Sequence, residues 1–397
     1  MAGQSLGALN DNAYRMIIIL AVLDRVSDVG TQLHYSALGT SILPIAFLIV
    51  SPYAGILADR YRKSDVLFWT KLPEIVAMLA GVFALASGSL PWAFFIFFLM
   101  ASHSAFFSPA KYSFLPEIVS KDALVHTNGI LNALTNISIL GGNIVGVLVY
   151  KAFKSELYKA GLVCVGIAVV GTLLIRLIPK TTRQNPDHHV RSIRDLFFAD
   201  RLLRDWRWLR ETRPDLLAMI AWIAFFNGIG SLFITMLPLH GKNTLGLSTE
   251  DSGLLLALLT VSIGAGSLIC GQLNKNKLTI RHFPYGLAGM AAATLLMGFA
   301  HDLTVTMIAL SILGVGAGFF VTPIQGWIQH HLPDDSRGRG MSFQNTWAFI
   351  AILVSSSLPW IAHEKLNLSL STVFFLCFAI VLGVSWRLRH TFRLGRP

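Results

Sequence analysis

The sequence predicts an all-α membrane protein, twelve transmembrane helices arranged as two pseudo-symmetric six-helix bundles. Three observations carry that prediction. Of the 397 residues, 54% are hydrophobic and 13% charged, against a charged share of about 25% in soluble domains, and the mean hydropathy is +0.60. Apolar runs of roughly 17–25 residues, the length that crosses a bilayer, recur twelve times. The second half of the chain also echoes the first.

The runs are centred near residues 14, 47, 77, 98, 140, 167, 226, 261, 291, 314, 350 and 379. The first contains Asn10, Asp11, Asn12 and Arg15 just ahead of an unbroken apolar stretch, Met16 to Leu23. An ionised group at mid-bilayer depth costs roughly 2.5–3.5 kcal/mol on insertion scales, so such groups persist where they face one another or a polar cavity. Asp11 and Arg15 are four apart and share one helix face, so they are expected to pair. Either they form an internal salt bridge, or they belong to a substrate or ion site. Asn12 falls on a different face from Asp11, so at most two of the three consecutive polar residues can point into one cavity.

The third run holds Lys71 and Glu74, three apart and able to pair, as a structural ion pair or as part of a site. The fourth holds His103 beside Ser102 and Ser104, read as a hydrogen-bonded packing histidine or a proton-coupling one. It ends near Lys111, which follows Pro109 and reads as an inner-mouth phosphate contact or as an interfacial lysine that snorkels. In the fifth, Asn132, Asn136 and Asn143 form a polar stripe with Thr135 and Ser138, while Gly141, Gly142 and Gly146 allow close helix approach. Asn227 marks the seventh run, and Gln325, Gln329, Gln344 and Asn345 supply amides later in the chain. Cys164, Cys270 and Cys377 all lie in apolar stretches without metal-ligand spacing and read as packing residues.

Between the sixth and seventh runs lies a polar, Arg-rich segment. Arg194, Arg201, Arg204, Arg207 and Arg210 alternate there with Leu196, Phe197, Leu202, Leu203, Trp206 and Leu209. That pattern is a basic amphipathic helix, either a tether between halves or an element that lies on an anionic leaflet. The domain division expected is therefore a first bundle over 1–178, a basic cytoplasmic linker over 179–214 and a second bundle over 215–397. With both termini on one side, the loops of that side carry 24 of the 32 Lys and Arg residues. The opposite loops carry only Arg25, Lys151, Lys154, Lys159, Lys242 and Lys365. The excess marks the first side, and with it both termini, as cytoplasmic. The net charge of +11 is thereby explained by topology, and nucleic acid is not expected as a partner.

The internal echo pairs Phe106-Phe107-Ser108-Pro109 and Leu115-Pro116-Glu117 with Phe319-Phe320-Val321-Thr322-Pro323 and Leu332-Pro333-Asp334. Asn132 likewise recurs as Asn345, and Gly55 to Lys63 has a degenerate counterpart in Gly271 to Lys277. A near-constant offset argues for a parallel repeat, two bundles related by an axis along the membrane normal with a binding cavity between them at mid-depth.

On the Gly55-x-x-x-Asp59-Arg60-x-Arg62-Lys63 loop, the twelve runs and the long connector, the whole chain resembles the major facilitator superfamily. The resemblance implies the major facilitator fold and a cytoplasmic gating latch at Asp59, Arg60, Arg62 and Lys63. The usual glycine after the aspartate-basic pair is replaced by Tyr61-Arg62, and the second copy lacks the aspartate. Three strings, Gln4 to Asn12, Phe107 to Tyr112 with Pro116-Glu117, and Gly266 to Gly271, look like the lysophospholipid transporter branch and the transporter half of bifunctional acyltransferase fusions. Members of that branch carry further apolar residues ahead of the Gln4 string, so the first helix is expected to begin late here. Some also carry a basic residue midway along the seventh span, which the stretch Asn227 to Leu237 lacks.

What this resemblance implies is inward movement of lysophospholipids, chiefly 2-acylglycerophosphoethanolamine, across the bacterial inner membrane. An acyltransferase or acyl-ACP synthetase would be the functional partner, alongside membrane lipids, and the transporter itself is expected as a monomer. Such a cargo needs a cation for its phosphate, carboxylate or amide oxygens for its ammonium, and an apolar wall for its tail. Asp11 is the expected ligand for the ammonium or for a coupling cation. Asn10 and Asn12 serve as amides beside it, and Arg15 holds the phosphate or neutralises Asp11. Lys71, Glu74, Lys111, Asn136, Asn227 and Gln325 complete the candidate substrate residues.

No cofactor or resident metal is expected, and no G-x-x-x-x-G-K-[S/T] motif is present. The energy source expected is thus a sodium or proton gradient. Two rivals remain: a drug or siderophore exporter or importer on the same scaffold, and an acyltransferase, for which only His330 and Asp335 offer a matching H-x-x-x-x-D spacing. A channel is disfavoured by the repeat and the latch, so the chain is expected not to be an enzyme but a secondary transporter working by alternating access.

Overall fold

The computed structural model describes residues 1–119, 121–180, 198–274, 281–332 and 337–387. Among them the chain is entirely helical apart from its turns. The first seven helices are α1 (Ala2–Arg25), α2 (Val29–Arg60), α3 (Lys63–Ala86), α4 (Leu90–Ile118), α5 (Lys121–Phe153), α6 (Leu157–Arg176) and α7 (Phe198–Thr212). The remainder are α8 (Pro214–Asn243), α9 (Thr249–Leu273), α10 (Phe283–Gly298), α11 (Leu303–His331), α12 (Arg337–Leu366) and α13 (Leu370–Arg387). Each of the twelve expected centres falls in its own helix; α7, the thirteenth, is the basic amphipathic helix of the connector. The count of membrane-crossing helices needs a correction. Nine are long and apolar enough to span among the described residues, and Ile137–Phe153, Phe283–Gly298 and Leu370–Trp386 are shorter apolar segments.

Local chemistry sets the helix ends. Ser248 caps α9 by accepting from the Asp251 amide at 3.1 Å, and Asp302 caps α11 by accepting from the Val305 amide at 2.9 Å. Either bond satisfies one of the four free N–H groups of a helix start. Asp28, in the turn before α2, accepts from the Thr31 hydroxyl at 2.6 Å and from the Thr31 amide at 2.7 Å. Those bonds hold its carboxyl below the usual carboxylate range. The turn between α3 and α4 uses Gly88 at φ +69°, a conformation open to glycine at little steric cost.

Packing divides the chain into two compact units, Met1–Arg25 with Ile42–Asp200, and Val26–Ser41 with Arg201–Pro397. In the first, α1 is the most enclosed helix, with 83% of its apolar window buried, and it packs on α4, α5 and α6. Glycines let it approach closely: a Cβ on Gly142 would lie 2.4 Å from the Leu9 carbonyl oxygen, and one on Gly146 2.7 Å from that of Ala13. Helix α3 packs on α4 and α6, and Val66, Leu67, Phe107, Phe114 and Ile175 form an apolar cluster among those three.

In the second unit α8 packs on α9, α11 and α12, and α10 on α11 and α13. Its centre is aromatic, with the Trp222, Phe283 and Phe320 rings 5.7–6.0 Å apart, within the range of favourable aromatic pairs. Helix α7 docks here. Leu209 is fully buried, Asp205 accepts from Arg339 Nε at 2.5 Å, and the Arg339 guanidinium stacks 4.6 Å from the Trp208 ring.

Four helix pairings of the first set of six recur in the second. The contacts α1–α5, α3–α4, α3–α6 and α1–α4 recur as α8–α12, α10–α11, α10–α13 and α8–α11. Helices that open at Ala2, Leu90 and Leu157 correspond to those that open at Pro214, Leu303 and Leu370. The internal repeat read from short strings is thus a repeat of packing.

Candidate functional site

The first unit contains a buried polar cluster in which α1, α3, α4 and α5 each supply side chains. It begins on α3, where Lys71 and Glu74 occupy one face because three residues make nearly one helical turn. Lys71 Nζ lies 2.5 Å from Glu74 Oε2, with the two side chains 1% and 0% exposed. Pro73, between them, cannot donate the usual backbone bond to the preceding turn. The ammonium rests 5.4 Å from the centre of the Phe107 ring and against Gly7, where a Cβ would come within 2.8 Å of Nζ. A glycine therefore leaves the space that the lysine head occupies.

Glu74 has further neighbours on two other helices. Asn10 Nδ2 of α1 approaches its Oε1 at 3.4 Å, and His103 Nε2 of α4 lies 3.6 Å from its Oε2. Neither ring nitrogen of His103 has a hydrogen-bond partner, although the residue is buried. The 3.6 Å separation is an electrostatic neighbourhood just beyond hydrogen-bond reach.

Asp11 does not pair with Arg15. Its Oδ2 accepts from the Ser104 hydroxyl of α4 at 2.5 Å, and Arg15 Nη2 donates to Asn143 Oδ1 of α5 at 2.8 Å. Spacing puts the two charges on one face of α1, but each finds a partner on a different neighbouring helix. Both remain undersatisfied: Asp11 Oδ1, Asn10 Oδ1 and Arg15 Nε are buried without partners. Buried polar atoms of native proteins are nearly always paired, so this patch of free acceptors and a free donor is the kind of surface a polar ligand completes.

The other candidate residues are more dispersed. Asn12 turns back to donate to the Ala8 carbonyl of its own helix at 2.9 Å. Lys111, half-buried on α4, is nearer the Met1 end of α1, and after burial its charge is what holds the Met1 ammonium below its usual range. Asn227 donates to the Ile223 carbonyl at 2.8 Å within α8, and Gln325 accepts from Gln344 at 3.1 Å; both belong to the second unit. The side chain of Asn136 lies outside the described residues, as do those of Asp59 and Arg60. Arg62 is exposed just ahead of α3. Lys63 lies 3.0 Å from Glu117 Oε1, with both side chains over nine-tenths buried, and ties the start of α3 to the end of α4. Asp335, the acidic half of the acyltransferase-like spacing, also lies outside the described residues.

Sequence reasoning missed Ser104 and Asn143 as the partners of Asp11 and Arg15. They lie 93 and 128 residues away, and no local spacing marks a pairing of that kind. The only signal available was that both are polar residues in apolar spans.

The chain is 28% identical to the lysophospholipid transporter LplT of Pectobacterium carotovorum subsp. carotovorum, over 72% of its own length and 67% of the relative's. It is 27% identical to the protein of the same name from Citrobacter koseri, over 90% and 86%. Among solved structures, an auto-inhibited peptide transporter of the POT family superposes with a TM-score of 0.70 at 14% identity, covering 99% of this chain and 97% of that one. The nucleoside transporter NupG superposes at 0.68 and 10% identity, covering 99% and 100%. Those likenesses establish the fold. The profile of the Major Facilitator Superfamily matches residues 5–356, and the chain belongs to that superfamily of multi-pass membrane transporters.

Proposed function

We propose that this protein is a secondary transporter that moves lysophospholipids, chiefly 2-acylglycerophosphoethanolamine, inward across a bacterial inner membrane by alternating access, with both termini cytoplasmic. The observation that carries the reading is the buried cluster of the first unit, where free acceptors on Asp11 and Asn10 lie on the same helix as a free donor on Arg15. A zwitterionic head group needs both kinds of partner at once. Asp11 and Asn10 suit its ammonium, while Arg15 and Lys71 suit its phosphate. Support for the lipid class comes from the relatives named lysophospholipid transporters, which match most of the chain.

In this reading the chain is not an enzyme, needs no cofactor and draws on a cation gradient. An acyltransferase, supplied by an acyl-ACP synthetase activity, re-acylates what it delivers. The test is uptake of labelled 2-acylglycerophosphoethanolamine into spheroplasts that express the chain, beside spheroplasts that do not. Uptake above the control supports the substrate; equal uptake by both rejects it.

A further inference from the structure

Helix α7 is anchored on one side and bare on the other. Asp205, Trp208 and Leu209 hold it to the second unit. On its outward side Leu203, Trp206, Arg207 and Arg210 recur at i, i+3, i+4 and i+7, the spacing of one stripe along a helix, and all four are exposed. We infer that this stripe lies on the membrane surface and binds the head groups of anionic phospholipids. Arg207 and Arg210 hold the lipid phosphates, and Leu203 and Trp206 enter the boundary between head groups and acyl chains.

The joint between α7 and α8 keeps the stripe at the bilayer. A single residue, Arg213, separates the two helices, and one residue reaches at most about 3.6 Å. That residue is itself fixed at the inner ends of two spans. Its guanidinium forks onto Asp215, with Nε 3.0 Å from Oδ1 and Nη2 2.8 Å from Oδ2, and Nη1 donates to the His331 carbonyl at the end of α11 at 2.7 Å. Further along α7, the Trp206 ring lies 5.8 Å from the ring of Trp347. Trp347 belongs to the membrane-crossing segment Arg339–Leu366 of α12. At about 1.5 Å per residue it is roughly 12 Å inside that segment, so Trp206 is level with a span rather than beyond it. Tryptophan is enriched where bilayer meets water.

The chemistry of the stripe selects lipid phosphate. The arginines around this helix that have carboxylate partners are Arg339, on Asp205, and Arg213, on Asp215. Arg207 and Arg210 have none among the described residues. A guanidinium matches a phosphate with two parallel N–H bonds. Leu203 is 53% exposed and Trp206 36%, apolar surface that a helix lying in the interface buries about 5–10 Å into the head-group boundary. The adjoining stripe differs in kind: Asp200, Arg204 and Glu211, at i, i+4 and i+11, carry a net negative charge. A helix on an anionic surface turns its acids away from it. The Leu203 stripe therefore faces lipid, and Glu211 faces water.

The test uses the full-length protein in nanodiscs, with a dye on Leu203→Cys or on Glu211→Cys; the native Cys164, Cys270 and Cys377 are buried. Lipids with brominated chains quench a dye that touches them. Brominated phosphatidylglycerol diluted into phosphatidylcholine should quench the dye at 203 at a lower mole fraction than brominated phosphatidylcholine does. Either lipid should quench the dye at 211 far less. Each basic residue near an anionic surface is worth about fivefold in lipid affinity, so the half-quenching mole fraction should rise about fivefold in Arg207→Gln or Arg210→Gln and about 25-fold in the double variant. At about 1 M salt, where the screening length falls to about 3 Å, the preference for phosphatidylglycerol should vanish.

Quenching at 203 by neither lipid overturns the inference. The stripe then faces water or a second copy of the chain, and the second copy would show as two chains in each disc. Equal quenching by both lipids overturns the selection by charge, as does a phosphatidylglycerol preference that survives in the double variant. Stronger quenching at 211 than at 203 overturns the orientation. The comparison of the two lipids at 203 needs neither arginine variant, so it decides the matter even where a variant fails to fold.

Discussion

Asp11 and Arg15 show how a correct reading of spacing can still give the wrong partner. Four residues apart on one helix, they could pair, yet each points to a neutral polar group on another helix, Ser104 and Asn143. Asp11 therefore retains a free buried oxygen, and replacing it with alanine removes a ligand atom without leaving a partner charge unpaired. Asp11→Ala is expected to abolish lysolipid uptake while the thermal unfolding midpoint of the purified protein changes little; undiminished uptake in a well-expressed variant would remove Asp11 from the site.

Lys71 is the opposite case. Its removal leaves the buried Glu74 carboxyl without its cation, a change that costs about 3–5 kcal/mol. The single variant Lys71→Ala should thus unfold at clearly lower temperature than wild type, and the double variant with Glu74→Ala should recover part of the loss. Equal losses in both would mean that the pair contributes packing alone. The i,i+3 spacing of this pair was legible in the sequence. Its junction with Asn10 and His103 was not, because that depends on how three helices pack.

Among the helices, close approach of α1 and α5 was legible in the glycines of α5, but spacing alone does not rank them. Gly142 and Gly146 touch backbone of α1, whereas a Cβ on Gly141 would meet only the Leu9 side chain at 3.9 Å. Gly142→Ala has no flexible neighbour to displace, since the Leu9 carbonyl would lie 2.4 Å from the new carbon. Overpacking of that kind costs about 1–3 kcal/mol. In Gly166→Ala the new methyl group meets nothing within 4 Å, so stability should be unchanged or slightly raised. A thermal unfolding comparison of the two variants in one detergent checks this, and equal effects would contradict the packing.

Helix α7 was legible as basic and amphipathic. Its seat on the second unit was not, since Arg339, which anchors it, lies 134 residues beyond Asp205. Arg339→Ala leaves the buried Asp205 without its guanidinium and Trp208 without its stacking partner. Trypsin should then cut after Arg207 and Arg210 faster than in wild type. An unchanged cleavage rate would place the hold on α7 in its apolar face, around Leu209.

At the scale of the whole molecule, the repeat was the most legible feature, because two copies of one packing scheme leave matching signals at one offset. The helix count was less so. The segment Phe283–Gly298 has only 16 residues, and counting apolar runs does not distinguish it from the 30-residue α8. The proposed cytoplasmic side of the termini and α7 rests on charge alone, on the surplus of Lys and Arg in the loops of that side. Lys151, Lys154 and Lys159 lie against that trend, and one of them is accounted for locally, since Lys159 pairs with Glu156 in the same turn region.

Cysteine labelling decides the orientation with little background, because Cys164, Cys270 and Cys377 are free and buried. Ser155 and Glu211 are both exposed, one at the turn before α6 and the other on α7. In intact spheroplasts a membrane-impermeant maleimide should label Ser155→Cys, and it should label Glu211→Cys only after the membrane is opened. The reverse pattern would invert the topology. The lysines around residue 154 would then be the true cytoplasmic signal.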